Sequence, residues 1–390
     1  MYKIQFFFLF FLFLLLSNKT YSQTTILQIA VDPKSNPKGK LMLSDIAESV
    51  EYIPLETKKE CLVGTIRAFD ISENYILIPA TYTRDALLFK RNGEFLNPIG
   101  RQGQGPGEYF RPSGSFIDEA NKQIIVFNTY PLQVLFYDLK GKHLKTVKLS
   151  TREKYLRQFN DHFFIATGNY HGEIPFAYEI RDRNFQIKKE AVATIPYEPR
   201  GSGRTMPGIP REYMYNDKIY AKEVSLNDTV YSIDKNFIFT PQYRINFGKY
   251  EITTDLRAEA DPGTYFKRWK EYAQFDRAFE NGNYLFLSYF YGGEILHYGY
   301  YDKNTKKLLY FNSSKGIPND YDSGIDFWAQ RQDNDHWYRF YDAYLFEEEL
   351  TNKTKIKPKG SNGAIESFKK LYSALDPEDN PVLVIVKLKK

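Results

Sequence analysis

Ile99 to Pro112 reads IGRQGQGPGEYFRP, and the role of this stretch decides the fold. Gly100, Gly103, Gly105, Pro106 and Gly107 crowd together there, flanked by Arg101, Glu108 and Arg111. A glycine-rich loop that cradles phosphate leads into a helix and usually ends in Gly-Lys-Ser/Thr. Here the continuation EYFRPSGSFIDE is broken by Pro112 and Gly114, and no such ending is present. The stretch is instead a tight connection, where glycines allow backbone geometry that other residues resist.

What it connects emerges from its surroundings. Phe69–Gly100, Ser115–Leu149, Arg157–Ala193, Tyr215–Gly248 and Phe279–Ser313 share one grammar of apolar strands separated by polar turns. Their last hairpin turns align at Asn92-Gly93, Lys140-Gly141, Arg183-Asn184, Lys235-Asn236 and Asn304-Thr305, spaced 48, 43, 52 and 69 residues apart. Such residues tolerate the positive φ that two-residue hairpin loops need. Repeats of about 40–50 residues with four short strands each predict a β-propeller. A sixth unit takes two strands from Gly324–Phe346 and a third from Asn380–Lys389, with a helix expected around Ala364–Ala374. Its fourth strand is assigned to Val50–Glu56, which closes the ring through the two ends of the chain and removes exposed edges. The long gap before the fifth unit holds Asp261–Asp276, whose apolar spacing predicts a helical insertion. The expected fold is therefore all-β: a six-bladed propeller of four-stranded blades over 43–390, with short helical insertions.

In that architecture Ile99–Pro112 runs from the outer strand of one blade to the inner strand of the next. The segment IGRQGQGPGEYFRPSGSFIDEANKQIIVFNTYPLQVLFYDLKGKHLKTV resembles an NHL-type repeat, with its glycine-rich loop, strands and hairpin. Together with LSDIAESVEYIPLET and the terminal DNPVLVIVKLK, the chain is similar to six-bladed propellers exported by Gram-negative bacteria. The resemblance spans nearly all of Leu43–Lys389 and implies fold and export more than any activity.

The first residues agree with export. Lys3 precedes an apolar run, Phe6–Leu16, followed by polar residues and the small Ser22. At about 1.5 Å per residue that run is too short for a hydrocarbon core of roughly 30 Å, so residues 1–22 read as a signal peptide. Residues 23–42 form an N-terminal extension. Cys61 is the single cysteine, far from the cleavage point, which argues against lipidation and against an intrachain disulfide. The expected location is periplasmic or extracellular. Net charge is +5 for the full chain, and the signal carries Lys3 and Lys19 of that surplus, too balanced for nucleic-acid recognition. The 32 Tyr and 31 Phe suit half-buried strands and tilt the fold further toward β.

Candidate chemistry is sparse. The resemblance also brings in metal-dependent propeller lactonases and lyases, whose ions sit in the axial channel. Among His143, His162, His171, His297 and His336 no pair has the helical spacing of a zinc site. Asn319–Asp326 looks like half a calcium loop, with Asp320, Asp322 and Gly324 in place but no bidentate Glu. No cofactor is expected, and calcium is the one ion with a candidate stretch. Trp328, Trp337 and Tyr338 are the candidates for an aromatic ligand platform. With Arg101, Gln102, Gln104, Glu108 and Arg111 they make up the expected ligand-binding set, while the loop's glycines and Pro106 are structural. The expected function is an exported binding module for a peptide, glycan or envelope protein. The alternative is a divalent-metal-dependent hydrolase or lyase with its site at the axial channel.

Overall fold

The computed structural model of the chain describes residues 26–66, 68–81, 84–149, 155–167, 174–198, 211–222, 226, 228–259, 261–311, 316–352 and 357–389. The signal-peptide assignment and His171 lie outside the described residues. Strand β1 (Leu27–Ala30), a one-turn helix α1 (Leu43–Ile46) and β2 (Ala47–Pro54) precede the first sheet. That sheet contains β3 (Asp70–Ile71), β4 (Tyr75–Ile78), β5 (Ala86–Lys90) and β6 (Phe95–Ile99) in sequential order. The second is β7 (Pro112–Asp118), β8 (Gln123–Thr129), β9 (Leu132–Asp138) and β10 (His143–Lys148). The third is β11 (Tyr155–Phe159), β12 (His162–Ala166), β13 (Phe176–Arg181) and β14 (Ile187–Ala193).

The next run, β15 (Glu212–Tyr215), β16 (Lys218–Lys222), β17 (Thr229–Ile233) and β18 (Phe239–Asn246), leads through α2 (Thr254–Arg257) and α3 (Pro262–Trp269) to another four-stranded sheet. Helix α3 lies in the expected insertion; Asp261 caps it by accepting the Thr264 N–H at 2.7 Å, and Pro262 occupies its first turn. The four-stranded sheet is β19 (Gln274–Glu280), β20 (Tyr284–Phe290), β21 (Leu296–Asp302) and β22 (Lys307–Tyr310). The chain ends with β23 (Arg331–Asp333), β24 (His336–Tyr341), α4 (Tyr344–Asn352), α5 (Asn362–Ala374) and β25 (Val382–Leu388). Helix α5 coincides with the helix expected from the sequence.

The arrangement is an all-β, propeller-like one with few helices. Strand faces alternate between neighbouring sheets as the period of two requires. On β8, Ile124 and Val126 pack toward the first sheet with Leu77 and Leu88, whereas Ile125 and Phe127 pack toward the third with Phe163 and Ile165. On β25, Leu383 and Ile385 pack toward Ile76 and Phe89 of the first sheet, and Val384 and Val386 toward Phe279 and Phe286. Sheet-on-sheet packing thus returns to its start. The two ends of the chain meet as expected: β2 pairs antiparallel with β25, from Ala47 opposite Leu388 to Pro54 opposite Val382.

Two expectations are corrected. Four sheets stand alone, not six, because the remaining strands form one nine-stranded sheet ordered β1-β18-β17-β16-β15-β23-β24-β25-β2. One parallel pair, Met214 with Asp333, fuses its two antiparallel halves, and β1 adds a parallel strand beside β18. The positive-φ residue of the hairpins is also misplaced in three units. Gly93 and Gly141 have φ of 90° and 81°, but the later turns place Phe185, Phe237 and Lys306 there, at 61°, 57° and 58°. The cause is an aspartate before each of these turns and before Gly141. Asp182 Oδ1 accepts the N–H groups of Asn184 and Gln186 at 2.9 and 3.0 Å, and Asp234 does the same with Asn236 and Ile238, both at 2.9 Å. The Phe185 ring stacks on Phe163 at 4.5 Å, and that burial offsets the roughly 1–2 kcal/mol of left-handed strain.

Candidate functional site

The first strand of each run lies nearest the axis, and charged side chains tie these strands to one another. Arg157 on β11 donates to Glu212 at 3.2 Å and to Asp333 at 2.5 Å. Arg331 donates to the other oxygen of Asp333 at 2.8 Å and also to Asp70, whose second oxygen accepts the Ile117 N–H at 2.8 Å. Gln332 exchanges two hydrogen bonds with the Glu280 backbone, at 2.9 and 2.6 Å. Six strands are joined in this way. Burial would raise the Asp333 carboxyl, but Arg331 and Arg157 outweigh it and hold the group below the usual carboxylate range. These carboxylates serve to bind guanidiniums.

The glycine-rich loop follows β6, as the sequence implied. Gly100 and Gly107 have φ of 61° and 75°, and a Cβ on Gly107 would stand 2.7 Å from the His143 ring. Glu108 closes the loop on itself by accepting from Gly105 N–H at 2.9 Å and from Arg101 at 2.5 Å. The Gly105 N–H first, and Arg101 after it, hold the Glu108 carboxyl below its usual value. Gln102 is pinned by its own N–H to Asp85 at 2.8 Å and by its side chain to the Thr81 carbonyl. Beneath them the buried Tyr109 hydroxyl donates to the Ile99 carbonyl at 2.8 Å and accepts the Ala86 N–H at 3.1 Å. Gln104 remains exposed. Arg111 lies beside Phe110 and Tyr130, 5.7 and 5.8 Å from their ring centres, and these rings are 37% and 62% exposed.

The other expected site residues are placed elsewhere. Trp328, Trp337 and Tyr338 are interior, so the aromatic platform expected of them is absent from the surface. Trp328 packs on Tyr298 at 4.5 Å, and Trp337 meets Phe286 edge-on at 4.7 Å. The calcium-like stretch is spent internally: Asp320 accepts from the Ser44 N–H and hydroxyl, each at 2.8 Å, and from Lys359 at 2.8 Å. Asp322 accepts from the Tyr52 hydroxyl at 2.9 Å and from Asn319 at 2.8 Å. Among the described residues no group of three or more His, Cys, Asp or Glu side chains could hold a metal ion.

Sequence reasoning missed a small cavity of about 10 Å³, room for a single water, between the β15–β17 and β19 strands, lined by Arg211, Lys222, Arg277, Tyr213, Tyr220 and Phe275. A second cavity, also of about 10 Å³, shares Lys222 and adds Arg244 and Arg257 beside Asp228 and Glu251. Only the count of cations near strand starts could have signalled it, and those cations are scattered between positions 211 and 277.

Sheets packed around a common axis, with a connecting loop locked at one face, define a propeller-like fold. The chain belongs to the family described as a domain of unknown function, DUF4934, which matches residues 25–387; that match is not to NHL repeats. A Bacteroides fragilis protein described as exported shares the fold at a TM-score of 0.67 and 19% identity, covering 94% of this chain and 100% of that one. A DUF4221 member from Bacteroides vulgatus aligns at 0.51 and 10% identity, covering 88% and 97% of the two chains. No curated protein matches the sequence. None of the described helices is long and apolar enough to cross a membrane.

Proposed function

We propose that the chain is an exported binding module that recognises a peptide, glycan or protein partner on the face carrying the Gly100–Arg111 loop, without catalysis. The observation that carries the proposal is the exposed group formed by Phe110, Arg111 and Tyr130. Its rings lie 6.5 Å apart with a guanidinium against both; Phe110 and Arg111 stand on a loop whose backbone is fixed by Glu108 and Tyr109, and Tyr130 comes from the β8–β9 turn. Aromatic faces stack on sugar rings and peptide side chains, and a rigid mount lowers the ordering cost of binding. Export is supported by the leader and by the exported relative of similar fold.

The test is binding of the purified chain to peptide and glycan arrays, alongside the Phe110→Ala/Tyr130→Ala double variant. Aromatic anchors of this kind contribute about 2 kcal/mol or more, so the variant should lose the captured ligand at least about tenfold with an unchanged melting temperature. Retained capture would move the recognition surface elsewhere, and an array with no specific ligand would overturn the binding role.

A further inference from the structure

We infer that the Phe110–Arg111–Tyr130 group takes an acidic glycan, with the ring of a uronic acid residue stacked on an aromatic face and its carboxylate in the Arg111 fork. This rests on the reading of that group as the recognition surface and names the class of ligand it fits.

The backbone comes first. Asn128, buried on β8, accepts the N–H groups of Phe110 and Arg111 at 3.0 and 2.7 Å and donates to the Pro131 carbonyl at 2.8 Å. The Arg111 carbonyl accepts the Thr129 N–H at 2.8 Å and the Thr129 hydroxyl at 3.0 Å. One buried amide thus clamps the segment bearing Phe110 and Arg111 to the turn bearing Tyr130. The same bonds use up main-chain groups that an extended peptide would need, and β8 and β9 are interior to their sheet with no free edge. Recognition here falls to side chains.

Those side chains are two rings and one cation. The ring planes are inclined at 62°, and both rings are exposed. Arg111 is exposed too, and among the described residues its guanidinium has no carboxylate or hydrogen-bond partner. The carboxylates of the loop and of its support are turned elsewhere: Glu108 to Arg101 and the Gly105 N–H, Asp85 to the Gln102 N–H. A uronic acid offers, in one unit, an apolar pyranose face for stacking and a planar carboxylate for a guanidinium fork. A neutral sugar would cover a ring and leave the guanidinium to water. An acidic side chain of a peptide would engage the guanidinium and leave the rings uncovered.

Calorimetric titration of the purified chain with oligogalacturonate and oligomannuronate, each beside its methyl ester, tests this. A glutamate-rich peptide and a sulfated galactan oligosaccharide are the comparisons. At least one acid should bind at least about fivefold more tightly than its ester and than either comparison, since esterification removes the charge and keeps the ring. Arg111→Gln should abolish that preference while leaving the ester's affinity and the melting temperature unchanged. Phe110→Ala/Tyr130→Ala should weaken acid and ester alike. Equal binding of acid and ester, both lost in the aromatic variant, would overturn the acidic class and leave the recognition surface standing. Acid binding that survives the aromatic variant, a preference that persists in Arg111→Gln, tighter binding of the peptide or the sulfated sugar, or no binding of either uronate would also overturn it.

Discussion

Asp333 and Arg157, 176 residues apart in sequence, meet at 2.5 Å beside the axis. Because Asp333 also holds Arg331, its removal leaves two guanidiniums without their shared counter-charge. Breaking an enclosed pair costs about 3–5 kcal/mol; the Asp333 side chain is 24% exposed, so Asp333→Ala should cost on the order of 2–3 kcal/mol in urea unfolding.

The same carboxyl sets a pH dependence. Its folded pKa lies below the unfolded value of about 3.9. Its contribution to stability is therefore full above that value and lost as pH falls through the folded pKa. Unfolding free energy measured from neutral pH down to the acid limit should decline below about pH 4, and Asp333→Asn should flatten that decline. An equally steep curve in the variant would show that other carboxylates control it.

Phe185 opposes two effects at one position. Its ring is buried against Phe163 and Phe127, yet its φ is 61°. Phe185→Ala loses the ring, typically about 3–5 kcal/mol for a buried phenylalanine, and keeps the backbone strain. Phe185→Gly loses the ring and relieves the strain, so it should be about 1 kcal/mol less destabilising than alanine. The opposite order, measured by denaturant titration, would contradict the left-handed assignment.

This turn also marks how far the sequence could be followed. Strand alternation, the closing of β2 on β25 and the helix at Asn362–Ala374 were legible because each leaves a local pattern of period two or 3.6. The left-handed residue was assigned to Asn184 and not Phe185, since turn propensity favours Asn and says nothing of a ring that packs onto another sheet. Met214 pairs with Asp333, and Asp333 with Arg157, across separations that leave no local trace. Charged residues on short inner strands look solvent-facing in sequence, so the axial network and the Arg211 cavity were invisible. Aromatic density around Trp328 and Trp337 was visible, but whether it faces ligand or core depends on the neighbouring sheet.

The loop glycines are not equivalent. Gly107 has φ of 75° with the His143 ring where a Cβ would go, whereas Gly105 lacks a positive φ and has only the Glu108 carboxylate nearby, at 3.1 Å. Gly107→Ala should cost about 1–2 kcal/mol or more, and Gly105→Ala should fall within about 0.5 kcal/mol. Thermal melts of the two variants separate these effects. Equal losses would mean that the loop is held by Glu108 alone, and Glu108→Gln would then be as damaging as either.

Asp320 and Asp322 spend their oxygens on neighbouring side chains and backbone. Asp320 fastens α1 through Ser44, and Asp322 fastens β2 through the Tyr52 hydroxyl. The stretch therefore ties the two ends of the chain together using the oxygens a cation would need. Added calcium, or a chelator, should leave the melting temperature unchanged. Tyr52→Phe should instead lower stability by about 1–3 kcal/mol, because it strips a donor from a buried carboxylate. Burial raises the Tyr52 phenol well above its usual range, so the hydroxyl keeps its proton at neutral and mildly alkaline pH. Loss of the bond should show equally at neutral and mildly alkaline pH. A calcium-dependent rise in melting temperature that disappears in Asp322→Asn would reverse the assignment and make the stretch a cation site.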